Sequence, residues 1–90
     1  MRAIVMREFG GPEVLRLADV PEPEPKAGHI VVNVARAGVN YADVHVRGDS
    51  YFTPVDLPYI PGNEVMGTTD DGRRVVALTR GGGYAEKALV

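Results

Sequence analysis

Glycine and proline interrupt this 90-residue chain so often that only short elements fit between them. Eleven glycines and seven prolines place a turn signal about every ten residues. The segments between them that are rich in apolar residues, such as 3–6, 14–20 and 30–34, have the length of strands, and 30–34 has their β-branched content. Roughly five to seven short strands joined by frequent turns predict a mostly β fold, a small barrel or a sandwich.

Composition excludes several classes of protein. A hydrophobic fraction of 44% is typical of one globular domain and argues against disorder. The net charge is −2 and the ten basic residues are scattered, so we expect no nucleic-acid partner. The longest apolar runs, such as 3–6 and 75–78, have four residues each, too few for a membrane span or for the apolar region of a signal peptide. With zero cysteines there is no disulfide or thiolate zinc site, and we expect a cytoplasmic protein.

Turn signals also predict how the strands follow one another. The stretch PEPEP at 21–25 is expected to be an extended connector, because proline cannot donate to a strand ladder. Pro58 and Pro61 delay the next central strand until about Asn63. The sequence DDG at 70–72 lies between EVMGTT and RRVVAL and predicts a hairpin. Three glycines at 81–83 break the chain before a last strand over 84–90.

The stretch GVNYADVHVRG at 38–48 predicts a short helix. Asn40 is a good N-cap, Asp43 follows three positions later, and Gly48 can end the helix. On this helix Asn40, Asp43 and Arg47 share one face, Asp43 and Arg47 have the spacing of an ion pair, and both valines are expected to face the core. The stretch is either an ordinary capped surface helix or part of a functional site.

Four motifs in order resemble one family. GVNYAD, RGDSY, LPYIPGNEVMG and GGGYAEKALV are similar to the N-terminal domain of the medium-chain dehydrogenase/reductase superfamily, and in particular to its zinc-independent quinone oxidoreductases. The resemblance covers the whole chain and implies a GroES-like β-barrel with one or two short helices. It implies that residues 1–90 are the catalytic, substrate-binding domain, and that the NADPH-binding Rossmann domain of such enzymes is absent from this chain.

The resemblance also addresses the metal. Zinc-dependent members hold their metal with a cysteine at the position of Asn40 and a histidine at the position of Asn63. A neutral amide is a poor ligand for zinc, and His29 and His45 lie outside the ligand pattern. We therefore expect no metal, with a zinc enzyme of unusual ligands as the alternative.

The family's site residues carry over to matching positions. The asparagine matching Asn40 lies beside the nicotinamide and the substrate, which implies a catalytic and cofactor-binding role. The tyrosine matching Tyr51 lines the pocket and is the expected proton donor, with a loop anchor as the alternative. The residues expected to line the substrate pocket are Tyr41, Asp43, Asn63 and Glu64, with packing as the alternative for Tyr41.

Two departures from the family pattern affect the pocket. Asp49 stands where the family often has glycine, and aspartate tolerates a left-handed backbone better than most residues. The connection after the Glu64 motif is shorter than usual, which predicts a trimmed hairpin with a tight rim.

These expectations combine into one hypothesis about function. The chain is expected to be part of an NADPH-dependent reductase of quinones or α,β-unsaturated carbonyls, with no membrane partner. Because the NADPH-binding domain is absent, the isolated chain is expected to be inactive. Full-length relatives resemble homodimers joined through that domain, so the isolated chain need not dimerise. The alternative is a free-standing GroES-like module that binds a ligand or assembles with copies of itself.

Overall fold

The computed structural model describes residues 1–50 and 54–90. This part of the chain holds six strands, one α-helix and one 3-10 turn, so the mostly β prediction with short helices is confirmed. The elements are β1 (Arg2–Val5), the 3-10 turn Pro12–Val14, β2 (Arg16–Asp19), β3 (Val31–Ala37), α1 (Tyr41–Arg47), β4 (Glu64–Thr68), β5 (Arg74–Leu78) and β6 (Lys87–Leu89).

A four-stranded antiparallel sheet carries the core. Its order is β5-β4-β3-β6, with a bulge in β3 between Val34 and Arg36. Alternation along the strands directs Val32, Val65 and Ala88 to one face, where they form a buried cluster. The strand predicted over 30–34 corresponds to β3, which is one of the two inner strands of the sheet.

The predicted hairpin is confirmed, and hydrogen bonds within its turn stabilise the short connection between β4 and β5. β4 and β5 pair in register from Glu64↔Leu78 to Thr68↔Arg74. Thr69 is buried, its hydroxyl donates to the Asp71 carboxylate, and it accepts from the Arg73 backbone N–H at 3.2 Å. The bond from the Thr69 hydroxyl, and then a separate bond from the Arg73 guanidinium Nε at 3.1 Å, lower the pKa of Asp71.

The strands of residues 1–50 and 54–90 do not close into a barrel, so the predicted barrel is wrong. β1 and β2 form a separate two-stranded sheet. It meets the rest of the chain through single bridges, Ala3↔Ala85 and Met6↔Tyr59. The physical reason is that proline and glycine flank both bridges. Tyr59 lies between Pro58 and Pro61, and Ala85 lies two residues after the glycine run at 81–83. Neither segment therefore continues as a strand ladder.

The second face of the large sheet carries an exposed apolar patch. Met66, Val76 and Leu78 point away from the core and are 46%, 70% and 82% exposed. Met66 and Val76 are direct cross-strand partners, so they form a continuous patch. Within residues 1–50 and 54–90, no helix has the length and apolarity needed to cross a membrane.

Candidate functional site

The helix predicted at the centre of the motif is present, and it begins as the sequence indicates. Asn40 has extended backbone angles and caps α1, and Asp43 completes a reciprocal capping box with it. The Asp43 carboxylate accepts the Asn40 backbone N–H at 2.9 Å. Gly48 ends the helix, and Asp49 then takes the left-handed conformation, with φ of 58°. The cap therefore fixes Asn40 at the start of the helix.

Asp43 is the most constrained polar residue of this region. It is 7% exposed, and the oxygen that caps the helix also accepts the Tyr84 hydroxyl at 2.7 Å. Burial first, and then this bond to a carboxylate, raise the pKa of Tyr84 above its ordinary value. Tyr84 thereby joins the loop before β6 to the first turn of α1.

Two expectations for this helix are wrong. Asp43 does not pair with Arg47, whose Nε donates to the Gly10 carbonyl at 3.2 Å, because Asp43 points inward to Tyr84 and the cap. The two valines do not both face the core: Val46 is buried and Val44 is 42% exposed. Residues two apart on a helix are separated by about 200°, so one of the pair must face outward.

Asn40 and Glu64 are brought together from distant parts of the chain. The Asn40 amide Nδ2 donates to Glu64 Oε2 at 3.4 Å, and the Gly38 backbone N–H donates to the Glu64 carbonyl at 2.9 Å. Gly38 lies so close to the Glu64 side chain that a Cβ there meets its carboxylate. The first residue of β4 therefore orients the helix cap.

Asn63, one position before Glu64, lies on the wall of a cleft. The cleft has a volume of about 780 Å³, within the usual range of small-molecule sites. The Asn63 carbonyl accepts the Thr79 backbone N–H at 2.8 Å, which fixes the wall to the end of β5. The lining residues are Val46, Pro54, Val55, Asp56, Tyr59, Asn63, Leu78, Thr79 and Arg80.

The remaining predicted residues are placed as follows. Tyr41 is 76% exposed, and its ring packs edge-on against His45 with ring centroids 4.6 Å apart. Tyr51 lies outside the described residues. The structure thus gathers Asn40, Asp43 and Glu64 at the helix start, places Asn63 in the cleft, and turns Tyr41 outward.

Potential metal ligands are dispersed in the part of the chain that the structure describes. The Nδ1 atom of His29 lies 3.1 Å from the Ala27 carbonyl, and that of His45 lies 3.0 Å from Ser50 Oγ. Within residues 1–50 and 54–90, no three His, Cys, Asp or Glu side chains converge on a common point.

Two residues that sequence reasoning missed belong to this region, Tyr84 and Arg80. Tyr84 lies in the GGGYAEKALV motif, but its partner is 41 positions away, and nothing local indicates the pairing. Arg80 lies between the end of a strand and the glycine run at 81–83. A charged residue at such a position is visible in the sequence and could have been considered as a site residue.

The sheet topology, the capped helix and the order of the motifs define a GroES-like domain of the medium-chain dehydrogenase/reductase superfamily. The chain belongs to the alcohol dehydrogenase GroES-like domain family, which residues 26–90 match.

Within this family, the chain is similar to quinone oxidoreductases. The chain is 43% identical to a quinone oxidoreductase of Lama guanicoe, over 99% of this chain and 31% of that protein. It superposes on the crystal structure of the Thermus thermophilus quinone oxidoreductase, also solved as a complex with NADPH, with a TM-score of 0.91 and 44% identity over 100% of this chain and 30% of that one.

A human structure matches as well. The synaptic vesicle membrane protein VAT-1 homolog-like protein gives a TM-score of 0.94 at 33% identity, over 100% of this chain and 32% of that one. The chain therefore spans about a third of the length of the relatives it matches.

Proposed function

We propose that this chain forms the substrate domain of an NADPH-dependent reductase that delivers hydride to a quinone or an α,β-unsaturated carbonyl without a metal ion. The observation that carries the proposal is the Asn40–Glu64 hydrogen bond at 3.4 Å. In the resembling zinc enzymes the position of Asn40 binds metal, whereas here its amide is held by a carboxylate. The similarity to quinone oxidoreductases supports the same reaction class.

The chemistry suits uncharged hydrogen-bonding groups. A quinone or an enone is already a good hydride acceptor, so the domain must position it and stabilise the developing oxyanion. Asn63 lines the cleft and offers an amide to a substrate oxygen. In this proposal Tyr51 gives the proton, because a phenol remains protonated at neutral pH.

The residues at the helix start fit a nicotinamide cofactor. Asn40 is exposed, and its amide has one N–H directed to Glu64, which leaves the other N–H for the carboxamide of a nicotinamide ring. When bound, NADPH would supply the hydride. Asp43 holds the Asn40 backbone N–H. In this proposal the nicotinamide ring approaches Asn40 past Asp43, Glu64 and Tyr41.

The proposal extends to the whole protein. Since the chain spans 31% of the quinone oxidoreductase it matches, we assign most of the cofactor contacts to a Rossmann domain outside residues 1–90. The isolated chain is then inactive, and dimerisation and a cytoplasmic location are properties of the longer enzyme.

A chimera tests the proposal. Residues 1–90 replace the corresponding 30% of the Thermus thermophilus enzyme, and NADPH oxidation is followed with a quinone as acceptor. We expect activity that a zinc chelator does not change, a loss of at least about tenfold on Asn40→Leu, and no activity from the 90-residue chain alone. Asn33→Leu is the matched control, because that amide binds the β4–β5 turn instead. A folded but inactive chimera contradicts the proposal.

A second candidate function is a self-assembling or binding module. The observation in its favour is the exposed patch of Met66, Val76 and Leu78 on the outer sheet face. Sedimentation equilibrium distinguishes the two: a stable multimer of the 90-residue chain that Val76→Lys dissociates supports the module, and a monomer opposes it.

A further inference from the structure

Arg80 gives the cleft a positive charge that no carboxylate of the described residues pairs with. It follows Thr79, whose backbone N–H is fixed to Asn63, so its backbone position is set by the end of β5. Its side chain is exposed and lines the cleft. In the described part of the chain, the ion pairs join other residues, and no carboxylate lies within 4.0 Å of the Arg80 guanidinium.

The rest of the cleft is mainly apolar, with one opposing charge. Val46, Val55 and Leu78 supply hydrocarbon surface, and Asn63 supplies the amide. Asp56 lies on the lining as well, without an ion pair to Arg80. The lining of this cleft therefore combines one guanidinium, one carboxylate and apolar side chains.

We propose that Arg80 determines substrate specificity, and that the cleft selects a quinone or an enone with a single anionic substituent on a flat apolar ring. A guanidinium presents paired N–H donors that match the oxygens of a carboxylate or a sulfonate. The apolar walls accept the ring, and Asp56 repels a second anionic group. This proposal rests on the proposed function for the reaction, but the anion contact at Arg80 is a property of this chain alone.

Ligand binding to the 90-residue chain, measured by changes in NMR amide chemical shifts, tests this proposal. The probes are naphthoquinone, naphthoquinone sulfonate and naphthalene sulfonate, the last of which has no reducible carbonyl. We expect both sulfonates to bind at least about tenfold more tightly than the neutral quinone. Arg80→Gln removes that difference and Arg80→Lys keeps part of it, because a point charge replaces the guanidinium. Arg74→Gln is the control, since Arg74 lies on the outer sheet face and leaves the preference intact.

The location of the shifts provides a second criterion. Arg80 also borders a shallower groove of about 410 Å³, which Gly82 and Lys87 line. Shifts at Asn63, Leu78 and Thr79 on adding the sulfonates support the proposal. Shifts confined to Gly82 and Lys87, or equal affinity of the wild-type chain for charged and neutral quinones, overturn it.

The two proposals fail separately. If naphthalene sulfonate binds through Arg80 and the chimera reduces no quinone, the anion site stands and the proposed reaction is wrong. If the chimera reduces neutral and sulfonated quinones with equal kcat/KM, and Arg80→Gln changes neither value, the reaction stands and the specificity role of Arg80 is refuted.

Discussion

Replacing Tyr84 by phenylalanine removes one hydroxyl from the bond that joins two distant segments. That hydroxyl donates to Asp43 at 2.7 Å, and a hydrogen bond to a charged group contributes about 1.5–3 kcal/mol. Asp43 keeps the Asn40 backbone N–H and is not left without a partner. We therefore expect the lower part of the range, a loss of about 1.5–2 kcal/mol in the free energy of unfolding.

This loss is measurable in a domain of this size. A change of 1 kcal/mol shifts Tm by about 4–8 °C for 60–100 residues, so Tyr84→Phe should lower Tm by about 6–16 °C. Urea unfolding followed by circular dichroism gives the free energy directly. Tyr41→Phe is the matched control, because Tyr41 is 76% exposed. A loss below about 0.5 kcal/mol for Tyr84→Phe, or an equal loss in the control, refutes the reasoning.

The same tyrosine predicts a pH dependence. Because the folded state raises the pKa of Tyr84, the folded chain keeps a proton that an unfolded tyrosine loses near pH ~10. The contribution is complete below that pH and is lost as the pH rises through the folded-state pKa. The stability difference between wild type and Tyr84→Phe should therefore shrink in alkaline urea titrations. A difference that grows above pH ~10 contradicts this assignment.

Three further predictions concern two glycines with positive φ, the hydrogen bond between Asp43 and Tyr84, and zinc binding. Gly62→Ala should cost more than about 2 kcal/mol, since φ is 104° and a Cβ there lies 2.7 Å from the Tyr84 ring, whereas Gly72→Ala, with φ of 89° and open space, should cost about 1 kcal/mol. Asp43→Asn and Tyr84→Phe should combine non-additively by about 0.5 kcal/mol or more in a double-mutant cycle, and simple additivity is the contrary result. After incubation with zinc and dialysis, elemental analysis should find less than one zinc per chain, because both family ligand positions hold amides; stoichiometric zinc opposes this.

Local signals in the sequence predicted local structure well. The capped helix, the DDG hairpin and the central strand each follow from neighbouring residues: Asn40 with Asp43, the turn at 70–72, and the β-branched run at 30–34. The resemblance identified the family because its motifs extend along the whole chain.

Long-range pairing is where the sequence was insufficient. The Asp43–Arg47 spacing suits an ion pair, yet the carboxylate is buried against a tyrosine 41 positions away, and no local rule ranks that contact above the nearby cation. The closed barrel failed for a related reason. Closure depends on ladders between distant segments, and here single bridges replace them.

Both ends of α1 depend on distant parts of the chain. The helix has seven residues, too few to persist alone in water. Its start is held by Tyr84, 41 positions away, and its end by Gly10, 37 positions away. During synthesis α1 cannot gain both of these contacts until Tyr84 has left the ribosome. We expect Asn40 to reach its final position late in folding, so that Tyr84→Phe accelerates unfolding and leaves the refolding rate almost unchanged; stopped-flow kinetics showing slower refolding instead would exclude that order of events.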